Sequence, residues 1–142
     1  MPASREDSPL SSADYDILVA GGGMVGAGLA CALAGNRLRI AVVEKQPPQL
    51  EWPPEEIDLR VSAINHASRN LLENIGAWDP ICERGIQPYR QMRVWDQSRL
   101  GDIHFDSASI GEPDLGHIIQ NRTIQAALWQ QMQQHADIDL LT

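Results

Sequence analysis

A cluster of glycines near the start of the chain constrains the fold more than any other feature of the sequence. Five glycines lie in the segment DILVAGGGMVGAG, residues 16–28. One short apolar run precedes the glycines and another follows them. Glycine loses more conformational freedom on folding than other residues, so a dense cluster needs a structural use. That use is a backbone conformation, or a close approach to the backbone, that a Cβ atom would prevent.

A membrane span is one alternative for this segment. Residues 17–36 contain no charged side chain, and about 20 apolar residues are enough to cross a bilayer. Gly22 and Gly26 also have the GxxxG spacing of paired membrane helices. Six of these twenty residues are glycine and acidic residues precede them, so the mean hydropathy and the flanks argue against a span. The acidic residues upstream argue against a secretory signal as well.

The pattern instead favours a strand, a tight turn and a helix. Residues 15–20 have the short apolar character of a buried parallel strand, and residues 24–34 suit a helix of small and apolar side chains. Between them stands Gly21-x-Gly23-x-x-Gly26. The first glycine makes the turn, the second lets a pyrophosphate approach the backbone, and the third lets the helix pack against the strand.

A second predicted strand, residues 39–44, follows the helix and ends in Glu44. Its carboxylate comes eighteen positions after Gly26, close to the roughly 20 at which such motifs place the acid that binds the ribose of a dinucleotide. A carboxylate at this position disfavours a 2′-phosphate. The sequence therefore predicts an α/β fold that begins as a Rossmann-like βαβ unit with a parallel sheet.

Composition excludes several classes of function. The 142 residues are 43% hydrophobic and 21% charged, as in a globular domain, and the net charge of −8 argues against a nucleic-acid partner. Two cysteines fit a reducing compartment, and the scattered histidines have no metal-ligand spacing, so no metal site is predicted. No serine-hydrolase motif occurs. Residues 1–14 are polar and are predicted to be a disordered tail, with the folded part at 15–142.

The rest of the chain gives a coarser prediction. Proline pairs make residues 45–54 a loop, and the spacing of Ala63, Ala67 and Leu71 predicts a helix that Gly76 ends, with Arg60 just before it. Residues 91–96 and 102–106 alternate as two strands of an antiparallel pair joined by residues 97–101. A helix over 122–135 with Asn121 as its cap follows, and then a strand at 138–141.

At this point the sequence resembles a known family. The segments that carry the resemblance are YDILVAGGGMVGAGLACALAG, RIAVVEK, DLRVSAINHASRNLLENIGAWD, MRVWD, GDIHFD and LGHIIQNRTIQAALW. Together they resemble the N-terminal third of the FAD-dependent hydroxylases of ubiquinone biosynthesis, and are most similar to the 2-polyprenylphenol hydroxylase branch. LRVSAIN and LGHIIQN are more specific than the glycine motif. The family's later Gly-Asp-Gly element would lie beyond Thr142, so the chain is expected to be an N-terminal portion of the FAD-binding domain.

The resemblance implies an aromatic-ring monooxygenase that uses FAD, NAD(P)H and O2 on a prenylated phenol. It implies that Gly21, Gly23, Gly26 and Glu44 hold the ADP half of FAD and that Arg60 lies towards the flavin. Asn121 or Arg122 would contact the cofactor at the start of its helix. No catalytic side chain is implied, since the cofactor carries the chemistry. A cytoplasmic location is implied, with peripheral attachment to the inner membrane and contact with other ubiquinone-biosynthesis proteins as open options.

Two other functions fit the residues. The glycine turn and Glu44 cannot distinguish FAD from NAD, so an NAD-dependent dehydrogenase is one alternative. A non-catalytic dinucleotide-binding module is the other. For the 142 residues alone we expect no hydroxylation, because the segments that would enclose the flavin ring lie outside them.

Overall fold

The computed structural model describes residues 14–96 and 101–142. The predicted tail, apart from Asp14, and most of the predicted turn at 97–101 lie outside the described residues. The strands are β1 Ile17–Ala20, β2 Ile40–Val43, β3 Val61–Asn65, β4 Gln87–Tyr89, β5 Gln91–Trp95, β6 Asp102–Asp106, β7 Gly116–Gln120 and β8 Ile138–Leu141. The helices are α1 Met24–Leu33, α2 His66–Asn74, α3 Trp78–Arg84 and α4 Asn121–Gln134, with a short 3-10 turn at Ser107–Ile110.

A parallel sheet in the order β1-β2-β8 carries the predicted βαβ unit. Its register places Val19, Val42 and Leu140 in one row across the three strands. Parallel strands need a crossover connection between them, and α1 supplies it between β1 and β2. The α/β prediction, the parallel sheet and the strand at 138–141 are confirmed.

Helices α1 and α4 cover one face of this sheet and form the core with it. From α4 come Ile124, Leu128, Trp129 and Met132, which are all buried and lie on the stripe that the helical spacing predicts. From the sheet come Val19, Ile40, Val42 and Ile138. On the opposite face Leu18 is 66% exposed and Val43 is 42% exposed, so the described residues leave that face largely uncovered.

A second, antiparallel sheet in the order β3-β7-β4 corrects one prediction. Residues 61–65, which the apolar spacing assigned in part to a helix, form β3, and Ala63 pairs with Ile118 of β7. Helix α2 begins only at His66, because the side chain of Asn65 accepts a hydrogen bond from the Ser68 amide (2.9 Å) and caps the helix. Arg60 therefore precedes a strand, and the partner strand about 55 residues away overrides the local periodicity.

The antiparallel pair predicted at 91–96 and 102–106 is present as β5 and β6. Arg93 and Asp102 form an ion pair across the two strands. In register, Met92 faces Phe105 and Val94 faces Ile103, so one face of the pair is apolar.

Within residues 14–96 and 101–142, no helix is both long and apolar enough to span a bilayer.

The packing of α1 on the glycine turn gives a test of the fold. A Cβ on Gly26 would lie 2.0 Å from the carbonyl oxygen of Gly21, whereas a Cβ on Gly28 would meet nothing within 4 Å. Gly26→Ala should lower the free energy of unfolding by about 1–3 kcal/mol through overpacking. Gly28→Ala, the control in the same helix, should keep or raise it because alanine favours helices. Urea unfolding of the two variants checks this, and equal losses would contradict the assigned packing.

Candidate cofactor-binding site

The three glycines of the motif have different structural roles in the turn between β1 and α1. Gly21 has φ +100°, a left-handed conformation that favours glycine, and its amide donates to the carbonyl of Val43 (2.8 Å). Gly26 has no room for a side chain because the carbonyl oxygen of Gly21 lies against it. Gly23 stands at the start of α1 with open space where a Cβ would be. The turn is thus closed on the protein side and open in front of Gly23.

Gly22 is the buried glycine of the turn, although it holds none of the three glycine positions of the motif. Its amide donates to Oε2 of Glu44 (2.9 Å), and its carbonyl accepts from Nε1 of Trp129 (2.6 Å). A Cβ there would lie 2.7 Å from the Trp129 ring and 3.2 Å from Cβ of Glu44. The run of three consecutive glycines, with Gly22 in the middle, is the only signal for this constraint in the sequence.

Glu44 follows β2 at the carboxyl end of the parallel sheet. Its carboxylate accepts from the amide of Gln46 (3.0 Å) and from that of Gly22. These two backbone hydrogen bonds lower the pKa of Glu44 below its usual value, so the group is ionised at neutral pH. An ionised, half-exposed carboxylate beside the turn is an acceptor suited to the hydroxyl groups of a ribose.

The start of α1 provides the complementary donors. The first amides of any helix have no partner within the helix, and the helix dipole gives that end a partial positive charge. No acidic side chain lies in the first turn of α1 to neutralise it. The turn therefore offers backbone N–H groups to an anion such as a pyrophosphate, with Glu44 beside them for the attached sugar.

The other predicted site residues meet where β3 begins and β7 ends. The Asn121 amide donates to the carbonyl of Arg60 (2.9 Å). Asn121 is not the helix cap that the sequence predicted: Gln120 holds the cap position, and Oδ1 of Asn121 accepts from the hydroxyl of Ser62 (2.6 Å). The cause is β3, which brings Ser62 within reach of the first residue of α4.

The side chains of Gln120 and Arg122 connect this junction to the loop that precedes β3. Oε1 of Gln120 accepts from Nε of Arg122 (2.9 Å) and from the amide of Asp58 (3.1 Å). The guanidinium of Arg122 also forms an ion pair with Glu56 (2.7 Å). Arg122 is therefore held by neighbours on two sides, whereas Arg60 is an exposed residue.

A cavity of about 500 Å³ connects these groups. Among its lining residues are Trp52, Arg60, Arg122 and Gln125. Gln125 contacts the carbonyl of Gly22 through its Nε2 atom (3.5 Å). The cavity thus lies between the loop and the start of α4, and Arg60 and Arg122 are the predicted site residues that line it. Its link to the glycine turn is Gln125, which contacts Gly22.

Known structures share this fold. A probable FAD-dependent monooxygenase from Pseudomonas aeruginosa, PqsL, superposes with a TM-score of 0.62 at 19% identity, covering 89% of this chain and 32% of that one. A 2-methyl-3-hydroxypyridine-5-carboxylic acid oxygenase superposes with a TM-score of 0.61 at 21% identity, covering 87% of this chain and 30% of that one. The fold is therefore one found in flavin-dependent oxygenases.

Curated sequences are closer still. The 3-demethoxyubiquinol 3-hydroxylase of Escherichia coli is 35% identical over 125 residues, covering 88% of this chain and 32% of that protein. The mouse ubiquinone biosynthesis monooxygenase COQ6 is 40% identical over 134 residues, covering 89% and 28%. The ubiquinone hydroxylase UbiM of Neisseria meningitidis is 35% identical, covering 89% and 28%. No family model matches the chain.

These relatives confirm the resemblance drawn from the sequence. The homologues of this chain are hydroxylases and monooxygenases of ubiquinone biosynthesis. The chain spans about a third of the length of the curated relatives that it matches. Their names do not single out one substrate.

The hydrogen bond from Trp129 to Gly22 gives a test of how the turn is held. Trp129→Phe removes the donor and leaves the buried Gly22 carbonyl with only the 3.5 Å contact from Gln125. The free energy of unfolding should fall by about 1–3 kcal/mol, the cost of an unsatisfied buried acceptor. Trp95→Phe is the matched control, because Trp95 is 64% exposed on β5, and should change it by less than about 0.5 kcal/mol. Similar effects at both positions, measured by urea unfolding, would contradict this role.

Proposed function

We propose that the chain is the N-terminal part of the FAD-binding domain of an aromatic-ring hydroxylase of ubiquinone biosynthesis. The observation that carries the proposal is the glycine turn, where open helix amides and an ionised Glu44 stand side by side. FAD as the dinucleotide is supported by the homology to ubiquinone-biosynthesis hydroxylases and by the fold shared with a probable FAD-dependent monooxygenase. No observation favours an NAD-dependent dehydrogenase or a non-catalytic module over this assignment.

The residues present fit the ADP half of FAD. The space in front of Gly23, which a Cβ atom would fill, suits a pyrophosphate, and Gly21 and Gly26 shape the turn around it. Glu44 would accept hydrogen bonds from the adenosine ribose. Its negative charge disfavours the 2′-phosphate of NADP at this site.

We assign the junction between the two sheets to the part of the cofactor that lies towards the flavin. Arg60 and the side-chain amide of Asn121 would donate to it, and the positive charge of Arg60 would favour phosphate. Arg122 lines the same cavity, but its guanidinium is already paired with Glu56. We therefore propose that Arg122 shapes the site and also contacts the cofactor.

When bound, FAD supplies the redox chemistry that activates O2. The residues of this chain hold and orient the cofactor, and none of them is assigned as catalytic. We infer NAD(P)H as the reductant and a prenylated phenol as the substrate class. Such a lipid-like substrate suits a cytoplasmic enzyme peripheral to the inner membrane, beside other proteins of the same biosynthesis.

A chimaera tests the function. Residues 15–142 would replace the homologous segment of the Escherichia coli 3-demethoxyubiquinol 3-hydroxylase, whose aligned region covers 88% of this chain. The chimaera should purify with flavin absorbance and form hydroxylated product that mass spectrometry detects. A folded chimaera that neither retains nor takes up FAD would refute the proposal. Tight NAD binding without flavin would point to a dehydrogenase instead.

Gly23 gives the sharpest prediction for cofactor binding. Its φ of −68° is open to alanine and a Cβ would meet nothing, so Gly23→Ala should fold like the unaltered protein. The same methyl group would occupy the space assigned to the pyrophosphate. FAD affinity should therefore fall roughly tenfold or more, which corresponds to a loss of about 1.4 kcal/mol of binding free energy. Titration of the chimaera with FAD, beside its Gly28→Ala variant, measures this. Unchanged FAD affinity would contradict the placement of the pyrophosphate at Gly23.

A further inference from the structure

The loop between β2 and β3, residues 45–60, has four prolines and crosses from the parallel to the antiparallel sheet. It contributes no strand or helix of its own. Its two ends are site residues, because Glu44 precedes it and Arg60 closes it. The position of the loop therefore decides how these two groups are presented to a shared ligand.

Trp52, in the middle of the loop, is held by two arginines from different helices. The guanidinium carbon of Arg84 lies 4.4 Å from the centre of the indole ring, and that of Arg122 lies 4.5 Å from it. Both distances are within the range of cation–π attraction, for which tryptophan is the strongest aromatic partner. Arg84 is the last residue of α3 and Arg122 is the second residue of α4, so the ring attaches the loop to both helices. We call Trp52, Arg84 and Arg122 the Trp52 clamp.

Hydrogen bonds fix the same loop on either side of the ring. Arg84 donates to the carbonyl of Leu50 (2.9 Å), and Arg122 pairs with the carboxylate of Glu56 (2.7 Å). Glu56 also offsets the charge of Arg122, which reduces repulsion between the two guanidinium groups that share the ring. The clamp thus combines stacking with backbone and charge contacts over residues 50–56.

The clamp borders the candidate cofactor site. Trp52 and Arg122 line the 500 Å³ cavity together with Arg60 and Gln125, and Gln125 contacts the Gly22 carbonyl. The ring is half-buried at the wall of that cavity. Release of the ring would therefore loosen the loop that connects Glu44 and Arg60.

We propose that Trp52 is a positioning residue for the cofactor: the Trp52 clamp holds the 45–60 loop against α3 and α4 and thereby slows the dissociation of FAD. This inference rests on the proposed function, since it deepens the role of the same site. Trp52 acts through the loop and not by touching the reacting atoms. Its removal should change how long the cofactor stays, with less effect on overall stability.

Two measurements on the chimaera that carries residues 15–142 test the proposal. Amide hydrogen exchange without cofactor reports the order of the loop, and flavin fluorescence after dilution reports the rate at which FAD leaves. Trp52→Ala should speed exchange of the 46–60 amides and raise the FAD dissociation rate about tenfold. Trp52→Phe keeps an aromatic face and should restore most of the effect. Glu55→Ala, an exposed change in the same loop, should match the unaltered chimaera.

The outcomes separate this inference from the proposed function. A folded chimaera that takes up no FAD would overturn the proposed function, and this inference with it. If the chimaera binds FAD and its Trp52→Ala variant releases FAD within twofold of the same rate, the inference alone is overturned. It also fails if Trp52→Ala raises exchange equally in β1, β2 and α4, because that result indicates a general loss of stability.

Discussion

The hydrogen bond from the buried indole of Trp129 to the carbonyl of Gly22 is the interaction on which the rest of the site depends. It joins residues 107 positions apart and presses the ring against the face of Gly22, where no Cβ fits. The amide of the same residue is then directed at Glu44. One glycine thus connects helix α4, the turn and the carboxylate, and the motif takes its shape from a helix that is not part of it.

The proposed site takes residues from both sheets. The parallel sheet presents Glu44 and the glycine turn at its carboxyl end, which is where α/β sheets bind ligands. The antiparallel sheet presents Arg60 and Asn121 where β3 and β7 lie side by side, and the Asn121 amide donates to the carbonyl of Arg60 there. The loop over 45–60 is the covalent link between the two halves, and Gln125 is a side-chain link.

The sequence predicted the features that depend on near neighbours. The glycine turn, helix α1, the strand that ends before Glu44 and the β5–β6 pair follow from local pattern. The interval Val61–Asn65 was misassigned because the spacing of Ala63, Ala67 and Leu71 is helical, while pairing with β7 decided the structure. The roles of Gly22, Trp129 and Trp52 could not be predicted, because their partners are 22, 107 and from 32 to 70 residues away.

An amide NMR titration of the ¹⁵N-labelled chain with FAD tests most directly whether the glycine turn holds the cofactor. The amide signals of residues 21–24 and of Gln46 should shift on binding, because the cofactor would contact the turn and the ribose-binding carboxylate. The amides of β5, which lie outside the site, should keep their positions. If FAD binds and the shifts are confined to other parts of the chain, the claim that this turn holds the cofactor is contradicted.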